Sequence, residues 1–87
     1  MKVTIYAKPG CGPCAATRHA LESRGVPFET VNVMDDDAAL DAIKGLGYLT
    51  VPVVLVQDGD AAEHWGGFQL DRIADLAGRL RMQEIEQ

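Results

Sequence analysis

The chain has 87 residues, 47% hydrophobic and 24% charged, which is enough for one domain with a single modest core and too little for a second. Its formal net charge of -5 argues against a nucleic-acid binder, which needs a basic surface, and it has no apolar run of the ~18 residues that would predict a membrane span. The N-terminus "MKVTIYAKPG" has neither a long apolar stretch nor a small-residue cleavage site, so a cytoplasmic location is expected, with neither nucleic acid nor membrane as partner.

In chain order, "KVTIY" (2–6) alternates Val3 and Ile5 with Lys2, Thr4 and Tyr6 and predicts a short strand. From about Gly12 to Arg24 the spacing turns helical, with Cys14, Thr17, Ala20 and Leu21 on one stripe and Gly25 as the stop. "PFETVNV" (27–33) alternates again and predicts a second strand. Asp35 to Asp37 supply an N-cap and a favourable charge for a helix carrying Leu40, Ile43 and Leu46, ended by Gly47. "VPVVLV" (51–56) predicts a buried strand, and Asp58-Gly59 signals a hairpin to a returning strand at about Ala61 to Trp65. "QLDRIADLAGRLRMQEI" is a last helix with Leu70, Ile73, Leu76, Ala77 and Leu80 on one side, weakened locally by Gly78.

The order βαβαββα predicts an α/β fold: a four-stranded mixed sheet flanked by helices, because strands joined by a helical crossover run parallel and a hairpin adds an antiparallel pair. Residues 1–80 are expected to form the domain, with 81–87 extending the last helix or fraying as a tail.

Both cysteines of the chain, Cys11 and Cys14, flank Gly12-Pro13 at the first strand-to-helix junction, in the one basic segment of an acidic chain. A reducing compartment disfavours a permanent staple, which leaves redox chemistry or metal binding. A Cys-x-x-Cys at such a junction is the thioredoxin-like redox signature. If Cys11 precedes the first helical turn, the unpaired amides and the helix dipole favour its thiolate and draw its pKa below the free value of ~8.5. Lys8 adds a positive charge nearby, and Cys14, one turn on, comes close enough to close a disulfide. Pro13 is tolerated in the first turn and stiffens the ring, while Gly12 leaves room for another backbone. Cys11 is thus the expected attacker and Cys14 the resolver. The competing zinc reading needs two more ligands, and only His19 and His64 remain, neither at metal-ligand spacing, so no metal is expected.

In "TVP" (50–52) a proline opening a strand is on its own an edge-strand residue. In a thioredoxin-like fold, to which the Cys-x-x-Cys points, Pro52 is expected to be cis, which exposes the backbone of Val51 beside the cysteines to pair with an extended substrate segment; Thr50, Val51 and Pro52 then support the site.

Three stretches, "TIYAKPGCGPC", "LGYLTVPVV" and "HWGGFQLDRI", together make the chain resemble a glutaredoxin-like redoxin, most closely the NrdH-redoxins. Trp65, Gly67, Phe68, Asp71 and Ile73 follow that family's W-S-G-F-R-P-D-x-I segment, whereas Gly66, Gln69 and Leu70 depart from it and Gly12-Pro13 is the thioredoxin dipeptide. The resemblance implies a thioredoxin-like fold and a monomeric dithiol-disulfide oxidoreductase with no bound cofactor besides the Cys11–Cys14 disulfide. It further implies reduction by an NADPH-dependent thioredoxin reductase and ribonucleotide reductase as target, with Trp65, Gly66, Gly67 and Phe68 facing partners. Glutathione-dependent glutaredoxins share Lys8 and Thr50-Val51-Pro52. They follow the Gly-Gly pair with a small residue and an Asp that grip glutathione, where this chain has Phe68-Gln69. A non-catalytic thioredoxin-like binding module and an iron-sulfur carrier are the remaining alternatives.

Of the other residues, Trp65 more often packs than contacts a partner, Phe68 either caps the core or shapes the groove, and Tyr6 packs more readily than it lines the site. His19 and His64 are expected to be solvated, and Asp35 to Asp37 form a cap and a solvated face rather than a calcium loop.

Overall fold

In a computed structural model the described residues are 1–86, with side chains described through residue 82. The elements follow the expected order: β1 (Lys2–Ala7), α1 (Gly12–Ser23), β2 (Glu29–Asn32), α2 (Asp37–Gly45), β3 (Val53–Asp58), β4 (Ala61–Gly66) and α3 (Leu70–Glu86). Gln87, the end of the expected tail, lies outside the described residues. Among the described residues no helix is long and apolar enough to cross a membrane.

The sheet order is β2-β1-β3-β4, with β1 parallel to β2 and antiparallel to β3, and β3 antiparallel to β4. Helices cover both faces. Val3, Ile5 and Ala7 of β1, Val54 and Val56 of β3 and Trp65 of β4 pack with Cys14, Ala20 and Leu21 of α1 and Ile73, Leu76 and Ala77 of α3. On the opposite face Val53 packs with Ala39 and Ile43 of α2, and Tyr6 and Val31 lean against them. Because β1 is an inner strand, Thr4 is buried, although its place in the alternation marks it as solvent-facing.

Three boundaries move for identifiable reasons. β2 is shorter than the alternating run 27–33, since Pro27 has no N–H to give and Phe28 packs toward the α1 and α3 face; pairing still continues past Asn32, where Val33 N–H donates to Ala7 O at 3.0 Å. β3 starts one residue after Pro52. At the hairpin Asp58 pairs with Ala61, so the loop is Gly59-Asp60 instead of Asp58-Gly59. Gly59 has φ +62 and Asp60 does not share the positive φ, the pattern of a type II′ turn, which places glycine first.

Asp36 is the N-cap of α2, with its Oδ1 accepting from Ala39 N–H at 3.0 Å. Asp36→Ala is expected to lower stability by about 1 kcal/mol, read as a lower denaturant midpoint at unchanged slope. α3 runs through Gly78 without interruption and is tied to the hairpin by Arg79, which pairs with Glu63 of β4.

Candidate active site

β1 delivers the chain to the Lys8–Gly10 loop, and Cys11 stands at the N-cap of α1 in an extended conformation, φ -92 and ψ 108. Its carbonyl accepts from Ala15 N–H at 3.2 Å, and its Sγ accepts from Cys14 N–H, also at 3.2 Å. The sulfur thus occupies the place a capping oxygen takes, against an amide with no intrahelical partner. Gly12 and Pro13 form the start of the helix, where proline sacrifices no helical hydrogen bond. Pro13 O in turn accepts from the hydroxyl of Thr17 at 2.8 Å, which satisfies that fully buried side chain.

The two cysteines are joined as a disulfide with Cα atoms 5.2 Å apart. They differ in access: Cys14 is 1% exposed and belongs to the core, whereas Cys11 is half-buried at its edge. No group of three or more potential metal ligands occurs among the described residues.

The second wall comes from the loop before β3. Val51–Pro52 is cis, as expected, and Val51 O lies 3.9 Å from Cys11 Sγ. Thr50 is exposed and Pro52 buried. The carbonyl of Pro52 accepts from Gly67 N–H at 2.8 Å, so the Gly66-Gly67 pair at the end of β4 meets this loop through the backbone.

Of the residues expected to face partners, Phe68 is 43% exposed, which puts it on the surface and not over the core. Trp65 is different. It is 3% exposed within the main core, with Arg72 Cζ 5.7 Å from its ring centroid, so it packs and offers no free face to a partner. Gln69 turns back, its Nε2 donating to Gly66 O at 2.9 Å. Lys8 is exposed and lines a pocket beside Cys11.

His64 corrects the expectation of a solvated strand residue. It is half-buried, with Nδ1 2.6 Å from Tyr48 Oη and the rings edge-on at 5.4 Å between centroids. His19 is exposed, as expected. Tyr48 carried no sequence signal of its own, yet it explains a departure from the family segment. A Cβ built on Gly66 would sit 3.0 Å from the Tyr48 ring, which the His64 bond holds in place. Gly66→Ser is therefore expected to destabilise the protein by about 1 kcal/mol, and by less in a His64→Ala background, where the ring is free to give way. Thermal unfolding of the two single variants and the double variant measures that coupling.

The glutaredoxin family model matches residues 3–61. The glutaredoxin-like protein NrdH of Escherichia coli strain K12 is 40% identical over 76 residues, covering 87% of this chain and 89% of that one. The protein of the same description from Salmonella typhimurium is 42% identical with the same coverage. Among solved structures, the NrdH-redoxin of Escherichia coli superposes with a TM-score of 0.75 at 39% identity, over 87% of this chain and 95% of that one. A family match over most of the chain, joined to identity at this level along nearly its full length and to the cysteine pair at the start of α1, makes the chain a member of the glutaredoxin family, a glutaredoxin-like redoxin of the NrdH type and a thiol-disulfide oxidoreductase.

Proposed function

We propose that this redoxin carries electron pairs from an NADPH-dependent thioredoxin reductase to protein disulfides, with ribonucleotide reductase as its target, acting as a cytoplasmic monomer without a bound cofactor. In the reduced protein the Cys11 thiolate, stabilised by the Cys14 N–H and the start of α1, attacks one sulfur of the target disulfide. A Cys11–target bond forms, and the second target sulfur leaves as a thiolate. Cys14, deprotonated, then attacks Cys11 Sγ; the Cys11–Cys14 disulfide closes and the first target sulfur leaves. Two electrons have passed to the target, and the reductase restores the dithiol. Val51 is the backbone edge against which the target segment lies, with Thr50 and Pro52 shaping that edge, Lys8 favouring the thiolate, and Gly12 and Pro13 keeping the approach open and the ring stiff. The Gly66-Gly67 turn and Phe68 border the docking face, and Trp65 supports it from beneath.

The observation that carries the choice of reductant is Phe68-Gln69. An exposed ring and an amide folded back on Gly66 O stand where glutathione users keep a small residue and a carboxylate. The NrdH-redoxin of Escherichia coli, a glutaredoxin-like protein, has a thioredoxin-like activity profile, which supports the same reading. The deciding experiment offers the oxidised protein NADPH with thioredoxin reductase in one reaction and glutathione with its reductase in another. Rapid NADPH consumption in the first alone is the expected result; the reverse pattern would make it a glutathione-dependent glutaredoxin, and no turnover in either would favour a non-catalytic binding module.

A further inference from the structure

On the side of Cys11 formed by α1 and β2 the surface opens into a pocket of about 500 Å3, to which the Thr50–Pro52 loop contributes nothing. Its lining includes Lys8 from the loop after β1, Cys11, Arg18 from the second turn of α1, and Thr30 and Asn32 from the outer strand β2. Both cations are exposed, and neither has an ion pair or hydrogen bond among the described residues. Glu22, one helical turn beyond Arg18, does not pair with it, and no acid is among the lining residues. One acid is tied to the lining, Asp35, whose Oδ2 accepts from Asn32 Nδ2 at 3.1 Å. A chain of formal net charge -5 thus places two cations, unpaired among the described residues, around the exposed side of its attacking sulfur.

We infer that this pocket docks an acidic segment of the substrate protein, flanking the disulfide that Cys11 attacks. The inference rests on the redox reading above and adds the charge of the preferred target. A carboxylate placed between Lys8 and Arg18 holds one flank of the target while Val51 pairs with the other, so the disulfide is presented to Cys11 from both sides. Opposite charge across such a contact acts mainly on encounter and on choice between partners.

The probes are two cyclic peptides, each closed by one internal disulfide and flanked by glutamates in one case and glutamines in the other. They are mixed with the full chain, reduced beforehand and freed of reductant, so that no reductase is involved. The second-order rate constant is expected to be about three- to tenfold larger for the glutamate peptide, and the ratio should collapse near 0.5 M salt by roughly complete screening. Arg18→Gln should pull the ratio toward one, while Arg18→Lys keeps most of it. Equal rates for the two peptides with wild type, or a ratio that survives Arg18→Gln, would overturn the docking inference and leave the redox reading intact. Failure to reduce either peptide would overturn both.

Discussion

Cys14→Ser is expected to turn the protein from a catalyst into a trap. Cys11 at the N-cap remains half-buried and open to attack a disulfide, whereas the sulfur that resolves the product sits 1% exposed behind it and has been replaced by a hydroxyl. Mixed disulfides between Cys11 and target proteins should then accumulate, and multiple turnover of insulin or a peptide disulfide should fall by at least about a thousandfold, as when one member of a catalytic unit is removed. Cys11→Ser should lose turnover to the same extent and trap nothing, because Cys14 belongs to the core and has no access to a large disulfide. Non-reducing electrophoresis with mass spectrometry of the adducts reads both results. Equal trapping by the two variants would show that burial in the resting structure does not assign the roles. The Cys14→Ser adducts also name the target directly: recovery of ribonucleotide reductase among them is the outcome the proposed function requires.

Phe68→Ser combined with Gln69→Asp is expected to open the protein to glutathione. A carboxylate at position 69 would meet the γ-glutamyl ammonium with a charge-assisted hydrogen bond worth about 1.5 to 3 kcal/mol, which is roughly ten- to a hundredfold in affinity. The serine replaces an exposed ring with a small side chain. In the native chain Gln69 supplies a neutral amide already engaged with Gly66 O. Glutathione-linked reduction of a small disulfide should rise by that factor, with Cys11, Cys14 and Pro52 untouched. Efficient glutathione turnover by the unmodified protein would make Phe68-Gln69 irrelevant to reductant choice.

Local signals determined a large part of this. The Cys11–Cys14 spacing, the start of α1 at Gly12, the Asp36 cap and the stripe of Cys14, Thr17, Ala20 and Leu21 each depend on residues within one or two turns of each other, and their positions follow from helix periodicity and capping. The Cys-x-x-Cys gave the reaction class, and family resemblance at Trp65, Gly67 and Phe68 added the subfamily, because that segment is a motif readable without knowing what it touches. The exposure of those residues was another matter. Trp65 is core and Phe68 is surface three residues later, since only the first points between the sheet and α3.

The particular side-chain contacts between residues distant along the chain were decided by the tertiary structure. Thr4 is buried because β3 and β2 flank β1 and helices cover both faces, a fact no alternation within residues 2–6 contains. The hairpin register moved by one residue because pairing with β3, not the turn dipeptide alone, selects which residue takes the positive φ. His64 meets Tyr48 across 16 positions, whereas the meeting of Val51 O with Cys11 across 40 is one that the thioredoxin-like reading already implied. Lys8 and Arg18 become one cationic site only when β1 and α1 fold beside β2. Periodicity reports which face a residue occupies on its own element, while side-chain contact depends on how the elements are stacked, and that stacking is set by burying all the apolar faces together.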